Sequence, residues 1–560
     1  MEVNFNKLKL NEIKILNKIY IKEKYRFIKF LKDCYKKKNF YQFSPLLSRD
    51  DSTSFLYLQI CNYKLVDFIL NKHRDKKITI ISSNYFQYLF LKKNIEKKKI
   101  KIIFDFNLLK YILFFLKIIY RIIFLLIFSL IEIANKSKKR LFKYMNYKNI
   151  ILVDTAFIKS MFKNDNFKER FYGNLLDFSD PNNQIVFSPV NLMFDKTKYS
   201  TRIIKKKKID TIFRFDVLEI SDYFFAFKKS ILNFNPLNKK KYGSLDISIL
   251  LFQDKINNIA NFNFFYGILN YFFFKRLKKY KLNIKSIIHW SENQSADKGF
   301  VLGAKTFFKN SKLKSYIGYF SNYNATFNKQ PTIDEYNSNL YTKEIYIQNL
   351  CLKPGLEKFF KKLKIQVAPN FRFQNVFKIK KVKIGNKKTN NILILLPVLK
   401  SEGINILNQI LNIKNNKELN NYKFIIKFHP NYGENFIKKY SKYINDKFKI
   451  TNLEFNKIIK KADVVVSNQG STLVESIMNG VPVVCACNLN YLMDNPLEGL
   501  VSKKLYFNSY NSDDLSNKLV KLNNTKKNKL FYKEFLKSRK KLLRNTGILN
   551  KKEILKFINN

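Results

Sequence analysis

The apolar residues of this chain form short continuous runs in some segments and recur at helical spacing in others. In the first 385 residues the runs stand at 78–81, 102–104, 150–153, 185–187, 286–290, 315–319, 344–347 and 365–367. Continuous β-branched runs are typical of strands buried on both faces of a parallel sheet, whereas half-exposed strands alternate. Because helical patterns separate the runs, this part of the chain is predicted to be α/β.

A second α/β pattern, with shorter connections, begins near residue 391. Strands are predicted at 391–396, 423–428, 448–451, 463–467 and 482–487, and helices at 403–413, from 434, 454–461 and 471–479. This βαβα alternation predicts a doubly wound parallel sheet whose ligand lies at the carboxyl ends of the strands. A Lys-rich linker at 378–388 and a helical segment at 526–543 give predicted domains 1–385 and 386–545 and a C-terminal tail 546–560.

Residues 108–134, LLKYILFFLKIIYRIIFLLIFSLIEIA, are the most continuous apolar stretch of the chain. As a helix this stretch would be about 40 Å long, which is enough to cross a bilayer. Its charged residues fall in one stripe at 100° per residue: Lys110, Lys117, Arg121 and Glu132. A broad apolar face beside a narrow charged stripe favours a helix that lies in the membrane interface. The basic segment 136–140 that follows suits anionic headgroups.

Two other placements of residues 108–134 stay open. A spanning helix would put the predicted strands at 77–82 and 149–154, which we expect to share one sheet, on opposite sides of a membrane. Two cations inside a spanning helix would cost only about 3 kcal/mol each on insertion scales, so their charge does not rule out a span. A buried helix of a large domain is the other alternative. The interfacial interpretation predicts a cytoplasmic protein, peripheral on the inner face of the cytoplasmic membrane, with an anionic membrane surface as partner.

Composition and charge narrow the classes of partner. The 560 residues carry 105 Lys+Arg against 42 Asp+Glu, which is a formal charge of +63, and the lysines are spread along the whole chain. The lysine runs 205–208 and 239–241 lack the interleaved aromatic or arginine residues of a base reader, so no nucleic-acid partner is predicted. Five cysteines without framework spacing indicate a reducing compartment. Residues 1–24 mix charged with apolar positions and do not form a signal peptide.

Missing motifs exclude several enzyme classes. The chain has three histidines and contains no CxxC, HExxH, GxxxxGK[ST] or GxGxxG sequence. The absence of these motifs argues against P-loop kinases, ordinary dinucleotide enzymes and zinc hydrolases. The paired acids Asp50 and Asp51, and Asp513 and Asp514, are adjacent residues in polar loops. We accordingly predict no metal site and no cofactor.

Residues 463–484, DVVVSNQGSTLVESIMNGVPVV, carry the strongest local signal for a binding site. A buried strand is predicted to run into a tight loop and then a helix, and this turn contains Ser467, Gln469, Gly470, Ser471 and Thr472. The free N–H groups and the positive dipole end of such a helix bind anions. Glu475 lies four residues after Ser471, so we expect it to share that face and point back toward the loop.

A plain capping box between Thr472 and Glu475 is an alternative that needs no ligand. A second signal favours a ligand, because His429 and Pro430 follow the strand predicted at 423–428 and should lie on the same rim of the sheet. Proline removes an N–H group and stiffens the turn, which holds the imidazole in place. A histidine at this rim can donate a hydrogen bond to a phosphate or to a departing diphosphate.

Together, KFHPN at 427–431 and SNQGSTLVESIMNGVPVV at 467–484 resemble the C-terminal lobe of bacterial GT-B-type glycosyltransferases of surface polysaccharide and capsule synthesis. Sialyltransferase-like, Kdo-transferase-like and glycerophosphotransferase-like enzymes share these two elements. The resemblance implies two Rossmann-like lobes with an interlobe cleft, and a nucleotide-sugar as donor substrate. It also implies that His429 and the hydroxyls of Ser471 and Thr472 contact the donor phosphates, and that Glu475 reaches a ribose hydroxyl.

The first 385 residues contain fainter similarities to the same group of enzymes. IIHWSEN at 287–293 and VAPNFRF at 367–373 resemble stretches of surface-carbohydrate biosynthesis proteins. In a GT-B enzyme this lobe supplies the acceptor site and the general base. A carboxylate at the ligand end of a strand can accept a proton from an acceptor hydroxyl, which makes Glu292 the first candidate base. The other candidates are Asp297, His289 and Asp154, and each acid is also compatible with a plain surface loop.

The resemblance predicts a glycosyltransferase that transfers a sugar from a nucleotide-activated donor to a surface glycan or lipid-linked acceptor. A sugar-nucleotide epimerase of the same two-lobed fold is the first alternative, since it also uses a Gly-Ser-x-x-x-Glu type of turn. A non-catalytic adaptor for membranes or polyanions, dominated by the charge of +63, is the second. Substituting His429 separates the adaptor from the enzymes, because an adaptor should lose nothing.

Overall fold

A computed structural model describes residues 1–36, 40–50, 53–95, 100–137, 139–163, 165–180, 182–192, 196–232, 240–323, 328–377, 390–413, 417–430, 432–441, 447–525 and 529–559. These residues form a mixed α/β protein with two six-stranded parallel sheets and one three-stranded parallel sheet. The predicted fold class, two Rossmann-like lobes with parallel sheets, is confirmed. The predicted linker at 378–388 and the boundary between 385 and 386 lie outside the described residues.

The N-terminal sheet contains the strand runs predicted from residue 150 onward. Its strands, in spatial order, are Lys364–Val367, Glu344–Ile347, Lys312–Ile317, Ile284–Trp290, Ile150–Phe157 and Gln184–Asn191. All neighbours pair in parallel, and the core strands are almost wholly buried, as their continuous apolar runs predict. The strand order reverses direction between Ile150–Phe157 and Ile284–Trp290. That reversal is the topological switch point of this sheet, where ligands of open α/β sheets bind.

The expectation that residues 77–82 and 149–154 share one sheet is wrong. Ile78–Ser82 pairs with Glu2–Asn4 and with Ile100–Phe104 in the separate three-stranded sheet. A continuous apolar run shows that a strand is buried but not which neighbour it pairs with, so the pattern could not separate the two sheets. The two sheets nevertheless share a single hydrophobic core, because Val3 and Ile80 belong to the same buried cluster as Ile150.

The C-terminal sheet has the doubly wound order 3-2-1-4-5-6 in chain numbering. Its strands, in spatial order, are Phe448–Ile450, Lys423–Lys427, Asn391–Leu395, Val464–Ser467, Val483–Ala486 and Tyr506–Ser509. The predicted strands are confirmed to within one or two residues, and the sixth strand was not predicted. Its sequence, YFNS, lacks the continuous aliphatic run by which the other strands are recognised. The switch point lies between Asn391–Leu395 and Val464–Ser467.

Helices cover the sheets and connect their strands. The described helices of eight or more residues are Leu10–Leu31, Leu56–Lys72, Tyr85–Asn94, Leu108–Ala134, Thr197–Lys206, Ile220–Ile231, Ser248–Asn257, Phe262–Leu277, Ser295–Phe307, Lys400–Leu411, Glu434–Ser441, Ser471–Met478, Ser512–Thr525, Lys529–Arg544 and Lys551–Asn559. The helix predicted at 108–134 is confirmed, and among the described residues it is the one helix long and apolar enough to cross a membrane. Only 17% of the most apolar 18-residue stretch of this helix is buried, so the buried-helix alternative is wrong.

The end of the chain returns to the N-terminal lobe instead of forming a separate tail. After Lys529–Arg544, the N–H of Gly547 donates to the carbonyl of Gln348 at 3.0 Å. The final helix packs Phe557 against Tyr316 and Tyr346, and the Lys314 ammonium donates to the carbonyl of Phe557 at 2.8 Å. Residues 546–559 therefore belong structurally to the first lobe, a crossing that the composition of this segment does not reveal.

Candidate functional site

The carboxyl ends of both six-stranded sheets open into one cleft of about 1870 Å³. This volume exceeds the roughly 300–1,000 Å³ of a drug-sized ligand pocket, so the cleft has room for more than one substrate. The cleft is lined by every residue that the sequence assigns to the donor site, together with the first candidate base: His429, Pro430, Ser467, Gln469, Gly470, Ser471, Thr472, Glu475 and Glu292. The fold thus brings these nine residues together, while their chemical roles stay predictions.

The helix Ser471–Met478 begins at the cleft without a side-chain cap. Its N-cap residue is Gly470, with φ 147°, a backbone conformation that L residues rarely adopt. The capping-box alternative is wrong, because the box would require the N-cap to be Thr472, which instead lies inside the first turn. A glycine N-cap supplies no side-chain acceptor for the first N–H groups of the helix. At its other end the helix is closed by Gly480, with φ 89°.

Two of the three hydroxyls predicted for the donor site are engaged in protein contacts. Ser467 is buried, and its hydroxyl donates to the carbonyl of Leu395 at 2.7 Å, which ties the two switch-point strands together. The hydroxyl of Ser471 accepts a hydrogen bond from the N–H of Phe320 at 2.9 Å, so it joins the two lobes. Thr472 is half-buried and lines the cleft, and it is the hydroxyl best placed to meet a ligand at the helix end.

A group of cations from both lobes surrounds His429. Burial, the largest cause, and the positive charges of Arg170, Arg372 and Lys427 together lower the pKa of His429 to about 4. Glu475 shares this environment, since burial raises its pKa to about 7 while Arg372 and Arg170 oppose the rise. The Glu169 carboxylate also acts on Arg170, and burial raises the pKa of Glu169 to about 7. Three cations therefore face two carboxylates that are only partly ionised at neutral pH, which leaves this part of the cleft with a net positive charge that suits an anionic ligand.

Sequence reasoning missed Arg170 and did not assign Arg372, although Arg372 lies in the VAPNFRF stretch. Both side chains are exposed on the N-terminal wall of the cleft, and the guanidinium of Arg170 donates to the hydroxyl of Ser160 at 2.6 Å. The sequence does mark these two positions in one way, because arginine is rare in this chain: only 12 of the 105 basic residues are arginine. Arginine presents a planar fork of donors that matches phosphate oxygens, which a lysine ammonium does not.

Behind the N-terminal wall, Asp154 and His289 form a buried pair at the switch point of the sheet. The Asp154 carboxylate accepts from Arg214 at 2.5 Å and lies 2.7 Å from Nδ1 of His289. The His289 ring stacks on Phe300 and is 1% exposed. Within the described part of the chain, the residues lining the cleft do not include Asp154 or His289. These two base candidates are therefore placed beneath the cleft surface.

Glu292 reaches the cleft from the loop that follows Ile284–Trp290. Its carboxylate accepts from the indole N–H of Trp290 at 3.0 Å and from the side-chain amide of Gln294 at 3.0 Å. Asp297 fixes the backbone of the same loop, because its Oδ2 accepts from the N–H groups of Glu292 and Gln294 at 2.8 and 3.0 Å. Asp297 thus caps the helix Ser295–Phe307 instead of facing the cleft. Burial raises its pKa to about 6, against the effect of His289.

That helix is held in place by a close glycine contact. A Cβ atom on Gly299 would stand 1.8 Å from the carbonyl oxygen of Gly267 in the helix Phe262–Leu277, so no larger residue fits without a shift.

Among the described residues, no group of three or more His, Cys, Asp and Glu side chains is arranged to hold a metal ion. The predicted absence of a metal stays a prediction.

The chain matches no protein-family model and no curated protein. Solved structures similar to it include S. aureus MnaA in a co-structure with UDP, at 10% identity, with 74% of this chain and 95% of that chain covered and a TM-score of 0.41. A glycosyltransferase from Rickettsia africae aligns at 14% identity, 74% and 97% coverage and a TM-score of 0.40. UDP-GlcNAc 2-epimerase from Neisseria meningitidis, bound to UDP-GlcNAc, aligns at 13% identity, 72% and 95% coverage and a TM-score of 0.40. Similarity at this level assigns no activity.

Proposed function

We propose that this chain is a nucleotide-sugar-dependent glycosyltransferase of the two-lobed GT-B type, which transfers a sugar to a surface glycan or a lipid-linked acceptor. One observation carries the proposal: the uncapped end of the helix Ser471–Met478, His429, Arg170 and Arg372 converge on one cleft between two doubly wound sheets. Backbone N–H groups, an imidazole and two guanidiniums are the donors that bind phosphate oxygens. A nucleotide diphosphate linked to a sugar presents such oxygens in a row.

The same groups suit the chemistry of a leaving diphosphate. As the bond between the sugar carbon and the diphosphate oxygen breaks, negative charge grows on the phosphates. Donors already placed around that charge stabilise the transition state without reorganising. The two arginines and the helix end supply the positive charge, so the proposed reaction requires no metal ion and no cofactor.

Glu292 is the proposed general base. It lies on the N-terminal wall of the cleft, where its carboxylate is oriented by Trp290 and Gln294. In the proposed transfer, the acceptor hydroxyl oxygen forms the new bond to the sugar carbon and its proton passes to Glu292. The nucleotide leaves with the electron pair of the broken bond. Positioned general bases contribute about 10²–10⁴ to a rate.

A screen of nucleotides and nucleotide-sugars for thermal stabilisation tests the donor site. A true donor at one hundred times its Kd should stabilise the folded chain by about 2.7 kcal/mol. His429→Ala and Thr472→Val should each weaken that binding and slow sugar transfer together, while His73→Ala, a histidine outside the cleft, should change neither. If His429→Ala binds every nucleotide as tightly as the parent, the donor-site assignment is wrong. Conversion of the nucleotide-sugar without any acceptor would identify an epimerase instead.

A further inference from the structure

The helix Leu108–Ala134 presents its apolar face to the outside of the protein. Side chains near its start, middle and end are largely exposed, including Leu109 at 63%, Phe115 at 61%, Tyr120 at 66% and Leu130 at 66%. The helix Ile220–Ile231 packs beside it and exposes two further apolar side chains, Ile220 at 69% and Phe224 at 68%. Soluble proteins rarely expose contiguous apolar patches larger than a few hundred Å².

From Arg121 onward, the polar residues of Leu108–Ala134 face the opposite way, into the protein. The guanidinium of Arg121 donates to the carbonyl of Asn257 at 2.6 Å, and the buried Glu132 carboxylate accepts from the hydroxyl of Tyr223 at 2.9 Å. Ser129 is also buried. A helix on the surface of a soluble protein has the reverse arrangement, with its apolar stripe on the core. These hydrogen bonds hold the helix in an orientation that keeps its apolar face on the outside.

Residues on both sides of Leu108–Ala134 fold into one body, which excludes a span. Before the helix, Arg49 forms a buried ion pair of 2.8 Å with Glu335, which lies far beyond it in the chain. Asn17 accepts from the N–H of Met493 in the second lobe at 2.7 Å. A bilayer between residues 107 and 135 would separate these partners. The helix can contact a membrane only from one side.

We propose that the apolar face of Leu108–Ala134 and Ile220–Ile231 inserts into the headgroup–acyl boundary of an anionic bilayer. Lys110, Lys117 and Lys139 are exposed beside this face, and the only acid within Leu108–Ala134 is the buried Glu132. Cations beside an apolar face complement anionic headgroups. A second copy of a chain with a formal charge of +63 would instead be repelled from the same face. The proposal is independent of the proposed sugar transfer and needs no nucleotide.

Flotation of the full-length protein with vesicles tests this contact. Vesicles of phosphatidylcholine alone and of phosphatidylcholine with phosphatidylglycerol are compared, with the parent, Phe115→Glu/Leu116→Glu and the control Ile548→Glu. Ile548 is 68% exposed and lies outside the two helices, so its variant has the same chemistry at another site. We expect anionic vesicles to bind the parent and the control alike, and the double variant at least tenfold more weakly. An unchanged thermal midpoint of the double variant establishes that it is folded.

A second measurement distinguishes insertion from contact with another protein. Tyr120→Trp places an indole at an exposed position of the helix, and bromine atoms on the acyl chains of the vesicles should quench its fluorescence. Absence of quenching overturns the proposal. So does equal vesicle binding of the parent and Phe115→Glu/Leu116→Glu. A stable dimer of the parent in vesicle-free solution, lost in the double variant, would identify the face as an interface between two copies and also overturn it.

Discussion

The two walls of the cleft stand at equivalent places in two similar sheets, yet they differ in how their polar groups are held. On the C-terminal wall, the helix Ser471–Met478 opens without a side-chain cap, and His429 and Thr472 face the cleft. On the N-terminal wall, Asp154 and Asp297 are held by hydrogen bonds inside the protein, and Glu292 is the carboxylate of this group that reaches the cleft.

Under the proposed function, this difference corresponds to different tasks for the two lobes. A receptor for phosphates needs donors with unused hydrogen-bonding capacity, and a glycine N-cap leaves the helix N–H groups available. A general base needs one carboxylate with a defined orientation, which a frame of internal hydrogen bonds provides. We therefore expect substitutions on the N-terminal loop to affect the rate of transfer, and substitutions around the phosphates to affect the affinity for the donor.

Glu292→Gln should have the largest effect of the substitutions considered, and it should change only the rate of sugar transfer. Removing the proposed base should lower the rate of sugar transfer by about 10²–10⁴. Nucleotide affinity should stay at the parent value, because Glu292 is proposed to act only on the acceptor hydroxyl. Trp290, the only tryptophan of the chain, donates to Glu292 and provides a fluorescence signal for binding. Full turnover by the variant would make the base assignment wrong.

Arg372→Ala and Arg170→Ala should have the next largest effect, and on donor affinity. Loss of a charge-assisted hydrogen bond costs about 1.5–3 kcal/mol, which is roughly ten- to a hundred-fold in Kd. Arg372→Lys should recover only part of that loss, because an ammonium lacks the planar fork of donors. Arg544→Ala, an exposed arginine outside the cleft, is the matched control. Unchanged donor affinity together with weaker acceptor binding would assign both arginines to the acceptor, contrary to the proposal.

The sequence predicts the C-terminal wall better than the N-terminal wall, because the residues of the C-terminal wall lie close in sequence to the strands that position them. His429 and the residues 467–475 lie directly after two strands whose apolar runs are clear, and parallel strands bring their carboxyl ends to one edge. Every residue assigned there lines the cleft. What the local pattern could not show is that the hydroxyls of Ser467 and Ser471 also contact Leu395 and Phe320.

The N-terminal wall depends on contacts between distant parts of the chain. Arg170 follows a short hairpin, Phe162–Lys163 with Asn166–Phe167, whose sequence has no strand signal of its own. Its position opposite His429 arises only when the two lobes meet. Asp154 and His289 are 135 residues apart, and their pairing needs the reversal of strand order that no local pattern encodes. Tertiary contacts of this kind leave no periodic signal in a single sequence.

Glu475→Gln should have the smallest effect of these substitutions, and the effect should be a change in the pH dependence of donor affinity. In the free protein the pKa of Glu475 is raised to about 7, above its usual range, so the carboxylate loses its proton as the pH rises through neutrality. A negative charge beside the phosphates opposes donor binding, so the affinity for a nucleotide-sugar should fall a few-fold between pH 6 and pH 8. His429 has a pKa of about 4 and stays neutral across this range, so it does not contribute to the slope.

The raised pKa of Glu475 also makes the stability of the fold depend on pH. This dependence distinguishes an effect of the Glu475 charge from a contact with a ribose hydroxyl. Because its folded pKa is raised, the carboxyl stabilises the fold at low pH, and that contribution is lost as the pH rises through about 7. Glu475→Gln should therefore remove the decreases in stability and in donor affinity that the parent shows between pH 6 and pH 8, as measured by unfolding and by nucleotide titration at these two pH values. If Glu475 acts only through a ribose hydroxyl, the variant will instead bind the donor more weakly by the same factor at both pH values.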